Sequence, residues 1–220
     1  MESKEEEFYW ACRDGNLEKV KELSNEIDDI NWGNPNDFDQ TGLFISCSFG
    51  MKEIVEYLIA HPKINVNKEN EYGRTSLNVA FYGGNEEIVE VLIKDRRVDV
   101  NKGDDNGWTP LWGACYWGYE TIVKIFVKDH RVDVDKEDNF GRTPLWIACF
   151  REKDEIVKIL LANRKDIDTK KTSRFDSFDQ FTTAANIARK KGFEQIAKLI
   201  DEYDQNPMAI TLRLRKELSE

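Results

Sequence analysis

Pairs of β-branched apolar residues recur along the chain at a fixed interval. Ile54-Val55, Ile88-Val89, Ile122-Val123 and Ile156-Val157 lie 34 residues apart. Around the third pair, Ile122, Val123, Phe126 and Val127 fall at the i, i+1, i+4, i+5 spacing of one apolar helix face. Ahead of that helix, Thr109 before Pro110 pairs a side-chain cap with a proline at the first helical position, where its missing N–H costs nothing. A helix is predicted to start there and to run about two turns, until Gly118 takes a positive φ. After the second helix, Arg131-Val132-Asp133-Val134 alternates, and Asp138-Asn139-Phe140-Gly141 is turn chemistry. Each unit therefore reads as a helix pair followed by an extended loop or hairpin.

The register extends through Gly73-Arg74-Thr75-Ser76-Leu77, Gly107-Trp108-Thr109-Pro110-Leu111 and Gly141-Arg142-Thr143-Pro144-Leu145, with Asp39-Gln40-Thr41-Gly42-Leu43 as a degenerate first copy. Asn65-Val66-Asn67, Asp99-Val100-Asn101 and Asp133-Val134-Asp135 keep the same phase. One such unit cannot bury its apolar face alone, so neighbours must stack into an all-α solenoid. The period places an N-terminal capping repeat over 1–36 and repeats over 37–70, 71–104, 105–138 and 139–172. A C-terminal capping repeat over 173–205 and a helix or tail over 206–220 complete a single domain. In the last copy Thr183 follows Thr143 by 40 residues, so six residues are inserted within Asp166–Phe181.

The order glycine, Thr-Pro-Leu, Ala-Cys, glycine, Ile-Val, Asp-Val-Asn closely resembles the ankyrin repeat over about residues 5 to 203. The tetratricopeptide repeat shares the period, but its Trp-x-x-Leu-Gly signature is absent and it has no place for Asp-Val-Asn. Phe44, Asn78, Trp112 and Trp146 stand where the ankyrin family usually has His, and Gly42 and Ser76 replace the proline. The resemblance implies stacked helix pairs with projecting β-hairpin loops.

Composition narrows the function. Lys+Arg 32 against Asp+Glu 42 leaves a net charge of −10, which disfavours a nucleic-acid partner and favours a basic protein surface. The start, Met1-Glu2-Ser3-Lys4-Glu5-Glu6-Glu7, has no apolar targeting core, and no run approaches the ~18 apolar residues of a membrane span. A cytoplasmic protein, or a nuclear one, is the expectation. Cys47, Cys115 and Cys149 fall at one repeat position, with Cys12 at the matching place in the cap. Helix spacings of ~8–10 Å exceed the ~7 Å Cα separation that a disulfide allows, so they read as small core residues in a reducing compartment. His61 and His130 both end second helices, suited to a C-terminal dipole, and nothing in the repeat supplies a nucleophile beside them. Tyr82-Gly83-Gly84 is an inter-helix turn, not a phosphate loop. No catalytic residue, metal or cofactor is implied. The basic runs Arg164-Lys165, Lys170-Lys171 with Arg174, and Arg189-Lys190-Lys191 are weak localisation signals and read as solvated surfaces.

What the family resemblance implies about binding is more informative. Ankyrin repeats recognise partners through hairpin tips and the inner face of each first helix. Among the matching positions here, aromatics are strongly enriched over the 11% of the whole chain. At the tips they are Phe38, Tyr72, Trp108 and Phe140, with Arg74 and Arg142; on the inner helices they are Phe49, Tyr82, Tyr116, Trp117 and Phe150, with Arg151. Aromatics and arginine dominate interface hot spots, and a contiguous exposed apolar strip marks a binding surface. Trp112 and Trp146 read as packing residues. Glu69, Asp105, Glu137 and Asp138 rim the strip. The expected function is a monomeric, non-enzymatic protein–protein interaction module, an adaptor, scaffold or inhibitor, whose partner offers apolar anchors and basic flanks, without nucleic acid or membrane. The alternative is a structural protein that associates with itself.

Overall fold

The computed structural model describes residues 3–81, 83–163, 167–174 and 181–219. Tyr82 and part of the segment Asp166–Phe181 that holds the insertion, at 166 and 175–180, lie outside the described residues. The fold is all-α, with thirteen helices among the described residues, and the chain divides into two compact units, Met1–Asp105 and Asn106–Glu220.

The first unit contains three helix pairs: α1 (Lys4–Arg13) with α2 (Leu17–Leu23), α3 (Gly42–Ser48) with α4 (Lys52–Ile59), and α5 (Ser76–Ala80) with α6 (Glu86–Lys94). The first helices pack α1 on α3 on α5, and the second helices pack α2 on α4 on α6, giving an inner and an outer layer. Ile54, Val55 and Leu58 of α4 and Ile88, Val89 and Leu92 of α6 are the buried apolar faces that the periodicity predicts. A short antiparallel ladder, β1 (Gly33–Asn34) with β2 (Gln40–Thr41), precedes α3.

The second unit repeats the layering with α7 (Pro110–Trp117), α9 (Pro144–Phe150) and α11 (Ala184–Lys191) inside, and α8 (Glu120–Lys128), α10 (Asp154–Leu161) and α12 (Glu194–Gln205) outside. The ladder β3 (Ser173–Arg174) with β4 (Phe181–Thr182) precedes α11. A final helix, α13 (Pro207–Glu217), packs on α10 and α12. The boundaries of α7 and α8 match the reading of the third repeat, and Gly118 closes α7 at φ 93° in the left-handed region.

One capping device starts every inner helix. Ser3, Thr41, Thr75, Thr109, Thr143 and Thr183 each accept the backbone N–H three residues on, satisfying an amide that the helix leaves open. The outer helices α4, α6, α8, α10 and α12 have no side-chain cap, but each has an acidic residue in its first turn to offset the helix dipole. Gly42 stands in place of the usual proline because α1 presses on it: a Cβ there would come within 2.6 Å of the Phe8 ring and 2.9 Å of the Cys12 sulfur.

The loops differ from extended hairpins. Beyond the two short ladders, tips close through Asx-type turns. Asn70 Oδ1 accepts the Tyr72 and Arg74 amides at 3.0 Å, and Asp138 Oδ1 accepts the Phe140 and Arg142 amides at 2.9 Å. Successive tips are tied by backbone hydrogen bonds. In the first unit the Glu71 N–H donates to Phe38 O at 2.9 Å and the Asp105 N–H to Tyr72 O at 3.1 Å; in the second, the Asn139 N–H donates to Asn106 O at 3.0 Å.

Candidate protein interface

The residues expected to bind a partner separate into two sets, one in each unit. In the first unit, Phe38 is held at the tip before β2 with φ 53°, a left-handed backbone that is costly for a bulky residue. This places its ring 5.1 Å from that of Tyr72. Both are exposed, and the Arg74 guanidinium lies 5.8 Å over the Tyr72 ring. Phe49, at the C-cap of α3, is 56% exposed and makes no ring contact among the described residues. Tyr82 lies outside the described residues.

In the second unit, three rings stand one helical turn apart. Trp108, Trp112 and Tyr116 occupy i, i+4 and i+8, and stack nearly parallel with centroids 4.5 Å and 5.5 Å apart. Trp117 meets Tyr116 edge-on at 5.1 Å. Arg151 lies 4.5 Å over Tyr116, and Arg142 lies 5.2 Å over Trp112 and 4.7 Å over Phe140. On α9 and α11, Trp146 stacks on Phe150 at 5.3 Å, and the Lys191 ammonium sits 4.7 Å over Phe150. Rings and cations thus alternate over the inner helices, in the geometry of cation–π attraction.

Exposure divides this cluster. Trp117 and Phe140 are about half exposed, and Arg151 is exposed. Trp108, Tyr116 and Phe150 are half-buried, because their rings lean on buried neighbours instead of projecting into solvent. Trp112 and Trp146 are buried, as their reading as packing residues requires. Their indoles also do something that was not anticipated. The Trp112 Nε1–H donates to Arg142 O at 3.1 Å, and the Trp146 Nε1–H donates to Thr182 O at 3.1 Å. Each tryptophan therefore bonds its helix to the following hairpin, while Asn78 at the same position donates to Lys102 O at 3.2 Å.

Arg74 and Arg142 are each held by a buried carboxylate of their own chain. Arg142 Nε and Nη2 each reach Asp138 Oδ2 at 2.6 Å, and the Asp138 side chain is wholly buried. In the first unit the equivalent of Asp138 is the neutral Asn70, so Arg74 reaches instead to Asp104, one period after Asn70, at 3.4 Å. A buried carboxylate needs its cation, so these two arginines are held against their neighbouring rings. The recurrence of Asn70, Asp104 and Asp138 every 34 residues was the signal for this device. The acidic rim is also largely occupied: Glu69 pairs with Lys102 at 2.9 Å, Glu137 with Lys171 at 3.3 Å, and Asp138 with Arg142. Asp105 is exposed.

With this geometry in view, comparison with known families is decisive for the fold. A family model described as ankyrin repeats, in three copies, matches residues 8–104 and 96–173. The chain belongs to the ankyrin-repeat family. Ankyrin repeats are in general protein–protein interaction modules without catalysis of their own, so the function class follows from the family. No curated protein matches the chain.

Other candidate chemistry is sparse. All four cysteines are free and buried. Burial pushes the Cys12 thiol up to about 12 and raises Cys47, Cys115 and Cys149 further. As thiols they are poor nucleophiles. Of the basic runs, Lys170 pairs with Asp204 and Arg189 with Asp201, while Arg164 and Lys165 lie outside the described residues. Among the described residues no helix is long and apolar enough to cross a membrane.

Proposed function

We propose that this ankyrin-repeat protein is a non-enzymatic recognition module that binds a protein partner through the aromatic tips and inner helices of its two units. The observation that carries the reading is the second-unit cluster. Trp117 and Phe140 present half-exposed rings above the Trp108–Trp112–Tyr116 stack, and the exposed Arg151 lies beside them. Such a surface is preorganised: the rings are held in place before binding, so little side-chain entropy is lost on contact. Phe38, Tyr72 and Phe49 offer a second, smaller set of anchors.

The preferred partner is a segment with apolar anchors and basic flanks. The anchors answer the rings, and the flanks answer the −10 net charge of the whole chain. Because three of the four rim carboxylates already hold cations, long-range steering comes from net charge and affinity from the rings. The module acts as a monomer in a reducing compartment.

The test is affinity capture from native lysate with the full chain, alongside a Trp117→Ser/Phe140→Ser variant whose circular-dichroism spectrum matches wild type and which stays folded at the capture temperature. A protein retained by wild type and lost from the variant supports the reading. Equal capture by both places the binding surface elsewhere and overturns it.

A further inference from the structure

The outer layer of the second unit holds a cavity that the aromatic surface does not use. Helices α8, α10 and α13 line an open cleft of about 680 Å³, within the ~300–1,000 Å³ typical of small-ligand sites. Its apolar lining comes from Val127, Ile159 and Leu218, and its cations are Lys124, Lys128 and Arg215. Among the described residues no carboxylate lines it.

Some lysines elsewhere sit against carboxylates, as Lys52 does with Glu87, Lys102 with Glu69 and Lys158 with Glu155. Among the described residues, neither Lys124 nor Lys128 has such a partner. Three cations therefore line a partly apolar cavity in a protein of net charge −10.

The terminal helix builds the wall. The Thr211 Oγ1–H donates to Leu161 O at 3.0 Å, and Arg215 Nε donates to Ala162 O at 2.9 Å. The open carbonyls at the end of α10 would otherwise repel an anion. Here they are occupied, and the terminal nitrogens of Arg215 have no partner among the described residues. Helix α13 also lies beyond the matched repeats, which end at residue 173, so the repeat pattern does not account for it.

We propose that this cavity binds a small anionic amphiphile, an alkyl carboxylate. Lys124, Lys128 and Arg215 take the head group, and Val127, Ile159 and Leu218 take the chain. The proposal is independent of the partner-binding reading, because the residues concerned lie on α8, α10 and α13 and not on the inner helices.

The test is isothermal titration calorimetry of the full chain with decanoate below its micelle concentration, with a nonionic decyl glycoside and an acidic peptide as comparison probes. Saturable binding of one decanoate is expected, weakened at least about tenfold in the Lys124→Glu/Lys128→Glu variant by charge reversal at the head group. Backbone amide shifts in wild type should move around Lys124, Lys128 and Leu218 on titration, which tests the site without any variant. Equal decanoate affinity in the variant, equal affinity for the glycoside, shifts confined to other surfaces, or binding of the acidic peptide but not decanoate would each overturn the proposal.

Discussion

Replacing Trp112 by alanine should cost far more stability than replacing Trp117, although the two lie on the same helix five residues apart. Trp112 is 0% exposed and Trp117 is 49% exposed. A tryptophan side chain buries about 200 Å², which at about 25 cal/mol/Å² is worth about 5 kcal/mol. Trp112→Ala loses all of that, and it also leaves Arg142 O without its indole donor, a further loss of about 1 kcal/mol. The Trp108 and Tyr116 rings lose the partner between them. Trp117→Ala loses half the area at most, about 2 kcal/mol. The gap between the variants is thus about 3–4 kcal/mol. Equilibrium urea unfolding, followed by circular dichroism with wild type alongside, measures it. Because repeat proteins can unfold in stages, amide exchange of α7 and α9 should report the same order. Variants within about 1 kcal/mol of each other would refute the division into a buried stack and exposed anchors.

Other consequences follow from single contacts. Gly42→Ala should destabilise by about 1–3 kcal/mol despite alanine's better helix propensity, because its Cβ collides with Phe8 and Cys12; a raised urea midpoint would contradict that packing. The Arg131 side chain beside Asp129 holds its carboxyl below the usual carboxylate range. The stabilisation from a depressed acid is complete above its unfolded pKa of about 3.9 and is lost as pH falls through the folded value. The stability gap between wild type and Asp129→Asn should therefore be full at neutral pH and close in acid; a gap that does not change with pH argues against the pair. Native protein should leave all four thiols unreacted toward an aromatic disulfide reagent, with four reacting in urea. Stoichiometric labelling of any thiol in the folded state would show that its burial is wrong.

The fold was legible because repetition multiplies weak signals. A single Thr-Pro pair or one Ile-Val pair says little, but the same pairs every 34 residues locate inner helices, outer helices and turns together. The candidate surface was legible by position but not by exposure. Whether Trp108 projects or leans depends on Trp112 and Tyr116 beneath it, and a position in a repeat does not state a rotamer. The roles of Arg74 and Arg142 hinge on a neighbour one turn away: Asp138 captures Arg142 within its own hairpin, whereas Asn70 leaves Arg74 to reach to Asp104. The indole bonds of Trp112 and Trp146 span 30 and 36 residues and exist only because the next hairpin folds over them. The cavity under α13 breaks the period altogether, so periodicity had nothing to say about it.

The central claim is that exposed rings on the tips and inner helices make the contact with a protein partner. Hydroxyl-radical footprinting of the full chain, alone and with the partner retained by capture, reads those rings directly. The account predicts strong protection of Trp117 and Phe140, with Phe38 and Tyr72 protected if both units engage, and no change at Met208 and Leu212, which are exposed on α13. Protection confined to Met208 and Leu212, with the four aromatics as reactive as in the free chain, would contradict it.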